Sequence, residues 1–174
     1  MVLDARLKKL VTGISARKAA EAFSRSLKKG TELSKLEQEE AGEFAATVEI
    51  MFLMAAVDGE VSEEELGRLK QSVSDIANVE TIRKLDLDQL LEGFAAKLAR
   101  DGWHARLGEA VRRIPTNDAK AFAFRLAAGV ALVDDNVAHA EAAAINSLAA
   151  AIGLSHEESQ VVLNEVLEEL FGPA

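Results

Sequence analysis

Apolar residues recur every three to four positions along most of the chain, which is the spacing of amphipathic helices. Capping pairs and helix breakers separate these segments, and no segment alternates like a strand. We therefore predict an all-α, single-domain helical bundle of about eight helices. The predicted helices occupy the first 30 residues, Ser34 to about Gly59, Ser62 to Ile76, residues 87–101, residues 103–114, residues 117–133, residues 139–152 and Ser155 to Phe171.

One segment of the pattern occurs twice. Val57 to Glu65 returns in altered form as Val133 to Glu141, at a constant offset of 76 positions. In both copies an Asp follows an apolar run, a Val comes three residues later, and a Glu comes seven residues after the Asp. We call residues 58–65 and 134–141 the first and second acidic corners. They predict an internal pseudo-repeat of two helix–corner–helix units.

Composition narrows the class of function. A chain of 174 residues buries about 70% of its unfolded surface, enough for one sizeable core. The net charge of −9 disfavours nucleic acid as a partner, because contacts to phosphates dominate such binding. Cysteine is absent, and we find no phosphate-binding loop, catalytic serine motif or zinc-protease motif. The sequence predicts a protein that is not an enzyme, uses no organic cofactor and is cytoplasmic.

We predict that residues 1–33 form a basic amphipathic helical extension ahead of the main domain, residues 34–174. The first 30 residues hold eight Lys or Arg against two acids, and so carry a charge of +6. Leu3, Leu7, Leu10, Val11 and Ile14 fall on one side of a helix. Such a helix could pack its apolar stripe on the core, with its charges balancing the acidic remainder. Alternatively, it could lie on an anionic membrane surface.

The acidic corners have two interpretations. Ser62 and Glu65 form a capping box, which explains the first corner as a local helix start. In the second corner Ala138 replaces that serine and cannot cap, yet Glu141 remains. Asp58 and Asp134 also lie at the C-terminal ends of apolar helices, where the helix dipole disfavours a negative charge. A bound cation would compensate for that unfavourable position.

The stretch from Ala55 to Glu65 resembles the signature of the tellurite resistance protein TerB family, an apolar helix followed by D-G-x-[VI]-x-x-x-E. The second copy departs from it, because Asp135 replaces the glycine. The resemblance extends over roughly residues 40 to 170. It implies a pseudo-symmetric all-α fold found in bacterial stress-response proteins and as a module of larger proteins, including a membrane-anchored co-chaperone. It also implies metal binding and assembly with protein partners near the inner membrane.

Carried onto this chain, the resemblance implies Asp58, Glu65, Asp134 and Glu141 as metal ligands, with Glu60 and Asp135 beside them. Ligand sets made only of oxygen favour hard cations such as Ca2+ or Mg2+. Direct chemistry on tellurite is not expected, since an acidic surface repels an oxyanion and the chain lacks thiols. The alternative is a helical interaction scaffold near the membrane whose acids are structural and bind no metal.

Overall fold

The structure is a computed structural model that describes residues 32, 34–57, 61, 63, 66, 67, 69, 70, 73, 84–132 and 139–172. Within 84–86, 132, 139–141 and 170 it describes the backbone alone. The described residues form six α-helices and contain no strand, so the predicted all-α class is confirmed. These helices are α1 (Lys35–Ala55), α2 (Lys84–Asp101), α3 (Trp103–Arg112), α4 (Asn117–Leu132), α5 (His139–Ala151) and α6 (His156–Phe171).

Helix α1 is the centre of the bundle. Every residue from Ala46 to Met54 is buried, because this stretch is apolar on all sides of the helix apart from Thr47 and Glu49. Helices α2, α3, α4 and α5 all pack against α1, and α6 packs against α4. A helix surrounded in this way divides the core into two clusters, one on each side.

Each buried apolar residue that the structure describes belongs to one of these two clusters. The first joins Phe44, Met51 and Phe52 of α1 to Leu91 and Phe94 of α2. The second joins the opposite side of α1 to α3, α4 and α5, and is rich in small side chains: Ala110, Ala123, Ala127, Ala131, Ala144 and Ala149. Small residues let helix backbones approach closely.

Most helix ends lie where the sequence predicts them. Ser34 caps α1 by accepting a hydrogen bond from the Glu37 amide at 3.2 Å, and Ser155 forms a complete capping box with Glu158. Gly102 and Gly153 follow α2 and α5 with φ of 87° and 82°, the left-handed backbone that glycine adopts without a Cβ clash. Pro115 follows the end of α3.

Two of the eight predicted helices are not among the six. The basic helix of the first 30 residues lies outside the described residues, as does most of the helix predicted from Ser62 to Ile76. The described residues of that second segment are all helical from Glu63 onward, and Leu69 and Val73 are buried in the first cluster. Nowhere in the part of the chain that the structure describes is a helix both long and apolar enough to cross a membrane.

Candidate functional site

The predicted metal ligands fall largely outside the described residues. Asp58, Glu65 and Asp134 lie outside them, as do the flanking Glu60 and Asp135. Glu141 is the third residue of α5, but its side chain is not described. Across the residues whose side chains are described, no three acids or histidines are grouped closely enough to hold a metal ion. The described residues that lead into the two corners therefore define the surroundings of the candidate site.

The C-terminal end of α1, which leads into the first acidic corner, is held by Trp103 of α3. The Trp103 indole Nε1 donates a hydrogen bond to the Leu53 carbonyl oxygen at 2.7 Å. Carbonyls in the last turn of a helix have no partner within the helix, so this bond satisfies one of them. Trp103 is half-buried, and its ring meets that of His104 edge to face at 5.1 Å. The backbone one turn before Asp58 is thereby fixed to α3.

A small cavity of about 200 Å3 lies beside this anchor. Its wall includes Val57, Trp103 and His104 on one side and Ala143, Ala144 and Ser147 of α5 on the other. Val57 immediately precedes Asp58, and Ala143 comes two residues after Glu141. Val57 also packs against the cluster that contains Ala144 and Ile145. The backbones that enter the first corner and leave the second therefore face the same cavity.

A larger groove of about 520 Å3 adjoins the same helix end and shares Val57 and Trp103 with the small cavity. Its walls are mostly apolar and are contributed by Phe52, Ala56, Val57, Val61, Leu66, Leu91, Ala95, Leu98, Ala99 and Trp103. Lys70 and Asp88 form an ion pair in its wall, and Glu92 adds a second carboxylate. We call this feature the apolar groove. Three of its wall residues, Val57, Val61 and Leu66, belong to the stretch around the first acidic corner.

A buried ion network joins α1 to α3. Glu49 is 1% exposed and lies in the buried, largely apolar stretch of α1. Its carboxylate accepts a hydrogen bond from Arg106 Nε at 2.8 Å and pairs with Arg113 through the other oxygen. Burial favours the neutral form of Arg106, but the hydrogen bond and charge of Glu49, together with those of Asp101, outweigh it and raise the Arg106 pKa. The network fixes α3, and with it Trp103, against α1.

Asp101, the last residue of α2, forms the outer end of this network. It accepts hydrogen bonds from Arg100 at 2.7 and 3.0 Å and from Arg106 at 3.3 Å. The hydrogen bond from Arg100 is the main cause that lowers the pKa of Asp101 from 3.8 to about 2. A second, more exposed ion cluster links α4 to α6, where Arg125 pairs with Glu165 at 2.9 Å and with Glu169.

The lowered pKa of Asp101 predicts a specific loss of stability in acid. A carboxyl whose folded pKa lies below its unfolded value stabilises the protein above the unfolded pKa, here about 3.8. That stabilisation is lost as the pH falls towards about 2. Asp101→Asn and Arg100→Gln should both reduce this loss of unfolding free energy. Urea unfolding at a series of pH values across this range measures it. If both variants lost as much unfolding free energy in acid as the wild type, the Arg100–Asp101 pair would not be the cause of the acid sensitivity.

Sequence reasoning identified some of these residues and missed others. Met51 and Met54 are buried in the core, and His104 and His156 are exposed. The role of Trp103 in holding the end of α1 was not predicted. The network around Glu49 was missed, although one charged residue within an apolar stretch of α1 is a visible signal that it must be paired.

Comparison with known protein families gives a match over more than half of the chain. The family model described as Tellurite resistance protein TerB matches residues 44–163, which run from Phe44 in α1 to Leu163 in α6 and include both acidic corners. Comparisons with curated proteins and with solved structures gave no match.

Proposed function

Because the chain belongs to the tellurite resistance protein TerB family, we propose that it is a non-enzymatic stress-response protein that binds one divalent cation between its two acidic corners. Asp58 and Glu65 would supply ligands from the first corner, and Asp134 and Glu141 from the second. Carboxylate oxygens are the preferred ligands of Ca2+ and Mg2+. Two carboxylates from one corner make a poor site, whereas four give a ligand number suited to a hard cation.

The shared cavity between Val57 and α5 is the observation that supports this proposal most directly. Val57 is adjacent to Asp58 in sequence, and Ala143 is two residues from Glu141, so a residue next to each corner in the sequence borders a space of about 200 Å3. The Trp103 bond to Leu53 and the Glu49 network hold α1 and α3 in place around it. Rigid support from neighbouring side chains is what keeps metal ligands in position.

The predicted pseudo-repeat gives a further reason for a shared site. Glu49 and Arg125 are separated by 76 positions, the offset that also relates the two corners. Each is the centre of an ion cluster, with Arg106 and Arg113 around Glu49 and with Glu165 and Glu169 around Arg125. Two helix–corner–helix units related in this way would bring equivalent acids towards a common axis.

Isothermal titration calorimetry with Ca2+, Mg2+ and Mn2+ tests the proposal. The wild type is expected to bind, and Asp58→Asn combined with Asp134→Asn is expected to lose binding. The matched control is Asp118→Asn combined with Glu168→Gln, which removes the same charge at two exposed positions. Failure of the wild type to bind any of the three ions at millimolar concentration would refute the proposal, as would equal loss of binding in the control.

The second candidate is a helical interaction scaffold near the membrane whose acids are structural. The open apolar groove favours it, because exposed apolar concavities commonly bind other polypeptides. Thermal unfolding separates the two candidates. A ligand that binds only the folded state raises the melting temperature with its concentration, so a melting temperature unchanged by saturating Ca2+ or Mg2+ supports the scaffold.

A further inference from the structure

The apolar groove has the chemistry of a docking site for an amphipathic basic helix. Most of its wall is apolar, and Asp88 and Glu92 contribute two carboxylates to it. The stretch between Val57 and Leu66, both wall residues, carries five more carboxylates: Asp58, Glu60, Glu63, Glu64 and Glu65. Lys70 is the one cation among the wall residues that the structure describes, and it is already paired with Asp88. A complementary occupant combines an apolar stripe with several positive charges.

The chain itself contains such a segment. Residues 3–29 carry the stripe of Leu3, Leu7, Leu10, Val11 and Ile14 and all eight Lys and Arg of the first 30 residues. We propose that residues 3–29 dock in the apolar groove of the same molecule, with the stripe against the walls and the basic residues beside the first acidic corner. This inference does not depend on the proposed cation site, because it rests on the groove and on the segment.

The segment is long enough to reach the groove. Ser34 at the start of α1 and Phe52 in the groove wall are about 27 Å apart along the helix. Gly30 and Thr31 interrupt the helical pattern and allow the chain to reverse. In a helix, Ile14 lies about 24 Å before Gly30 along the helix axis, and Leu10 lies about 30 Å before it. A helix that returns beside α1 therefore brings these two residues level with Phe52.

Trp103 provides a direct readout, because it lines the groove and is the only tryptophan in the chain. In the full-length protein, Leu10→Gln combined with Ile14→Gln is expected to shift Trp103 emission to longer wavelength and to increase its quenching by acrylamide. Ala5→Gln combined with Thr12→Gln is the matched control, since these positions lie on the opposite side of the helix. An unchanged Trp103 signal in the stripe variant, or an equal change in the control, overturns the proposal.

A cross-linking experiment measures proximity independently, and the absence of native cysteines makes it specific. Cysteines at Val11 and at Ala95, an exposed groove residue, are expected to be joined within one chain by a short bifunctional maleimide. Val11 paired with Ala150, an exposed residue of α5 outside the groove wall, should not be joined. Cross-linked dimers as the main product would assign the groove to a second copy and overturn the proposal. Binding of the segment to anionic phosphatidylglycerol vesicles, with no cross-link in solution, would also overturn it.

Discussion

Glu49→Gln is expected to lower the free energy of unfolding by about 3–5 kcal/mol, because it removes one partner of a buried ion pair and leaves Arg106 with only the more exposed Asp101 as a counter-ion. Arg106 is 6% exposed and lies within hydrogen-bonding distance of the Glu49 carboxylate, so it cannot regain its hydration when that charge is removed. Arg113 is more exposed and can turn towards water. Most of the loss therefore comes from Arg106. Urea unfolding at neutral pH measures it.

Two further variants separate this explanation from a general loss of packing. Glu165→Gln removes an exposed partner of Arg125 and should cost no more than about 1 kcal/mol, as surface ion pairs do. Glu49→Leu combined with Arg106→Met removes both buried charges and should recover most of the stability lost by Glu49→Gln. Equal losses for Glu49→Gln and Glu165→Gln would show that the network does not contribute as proposed.

Phe124→Ala is expected to lower the free energy of unfolding by about 3–5 kcal/mol. Phe124 is fully buried in α4, and it is the largest of the fully buried side chains within the described part of the chain. Its neighbours in the second cluster include many alanines, which are too short to fill the space left by a phenyl ring. A cavity that cannot collapse gives the larger cost within this range. Thermal and urea unfolding both measure the effect.

The control for Phe124→Ala is Val161→Ala on α6. Val161 is 57% exposed, so its truncation leaves no cavity and should change stability by no more than about 0.5 kcal/mol in either direction. A loss for Phe124→Ala that falls within the range of this control would mean that the second cluster is not the tightly packed core described above.

The helices and their ends were largely predictable because they depend on residues that are close together in the sequence. Ser34 and Ser155 cap helices through residues three positions away, and Gly102 and Gly153 end helices through their own backbone angles. The apolar spacing of α1 was equally clear from sequence. A pattern that repeats over neighbouring residues needs no knowledge of the rest of the fold.

The partners of Glu49 could not be predicted, because they lie 57 and 64 positions away in the chain. Several arginines in the sequence could have reached it, and only the packing of α3 against α1 selects Arg106 and Arg113. The same limit applies to Trp103, whose bond to Leu53 spans 50 positions. Long-range partners follow from how helices pack, and helical periodicity alone does not determine that packing.

Both local sequence patterns and long-range packing bear on the acidic corners. Their repetition at 76 positions was visible in the sequence, and the match over residues 44–163 confirms the resemblance to the TerB family. The structure adds that Val57 and Ala143 border one cavity. The assignment of Asp58, Glu65, Asp134 and Glu141 as ligands stays a prediction, because their side chains lie outside those described.

The stoichiometry of Mn2+ binding tests most directly whether the two corners share one site. Asp58→Asn with Glu65→Gln removes the first corner, and Asp134→Asn with Glu141→Gln removes the second. A shared site predicts one ion per wild-type chain and loss of binding in either variant. Two ions per wild-type chain, with one retained in each variant, would contradict the shared site and show two independent corners.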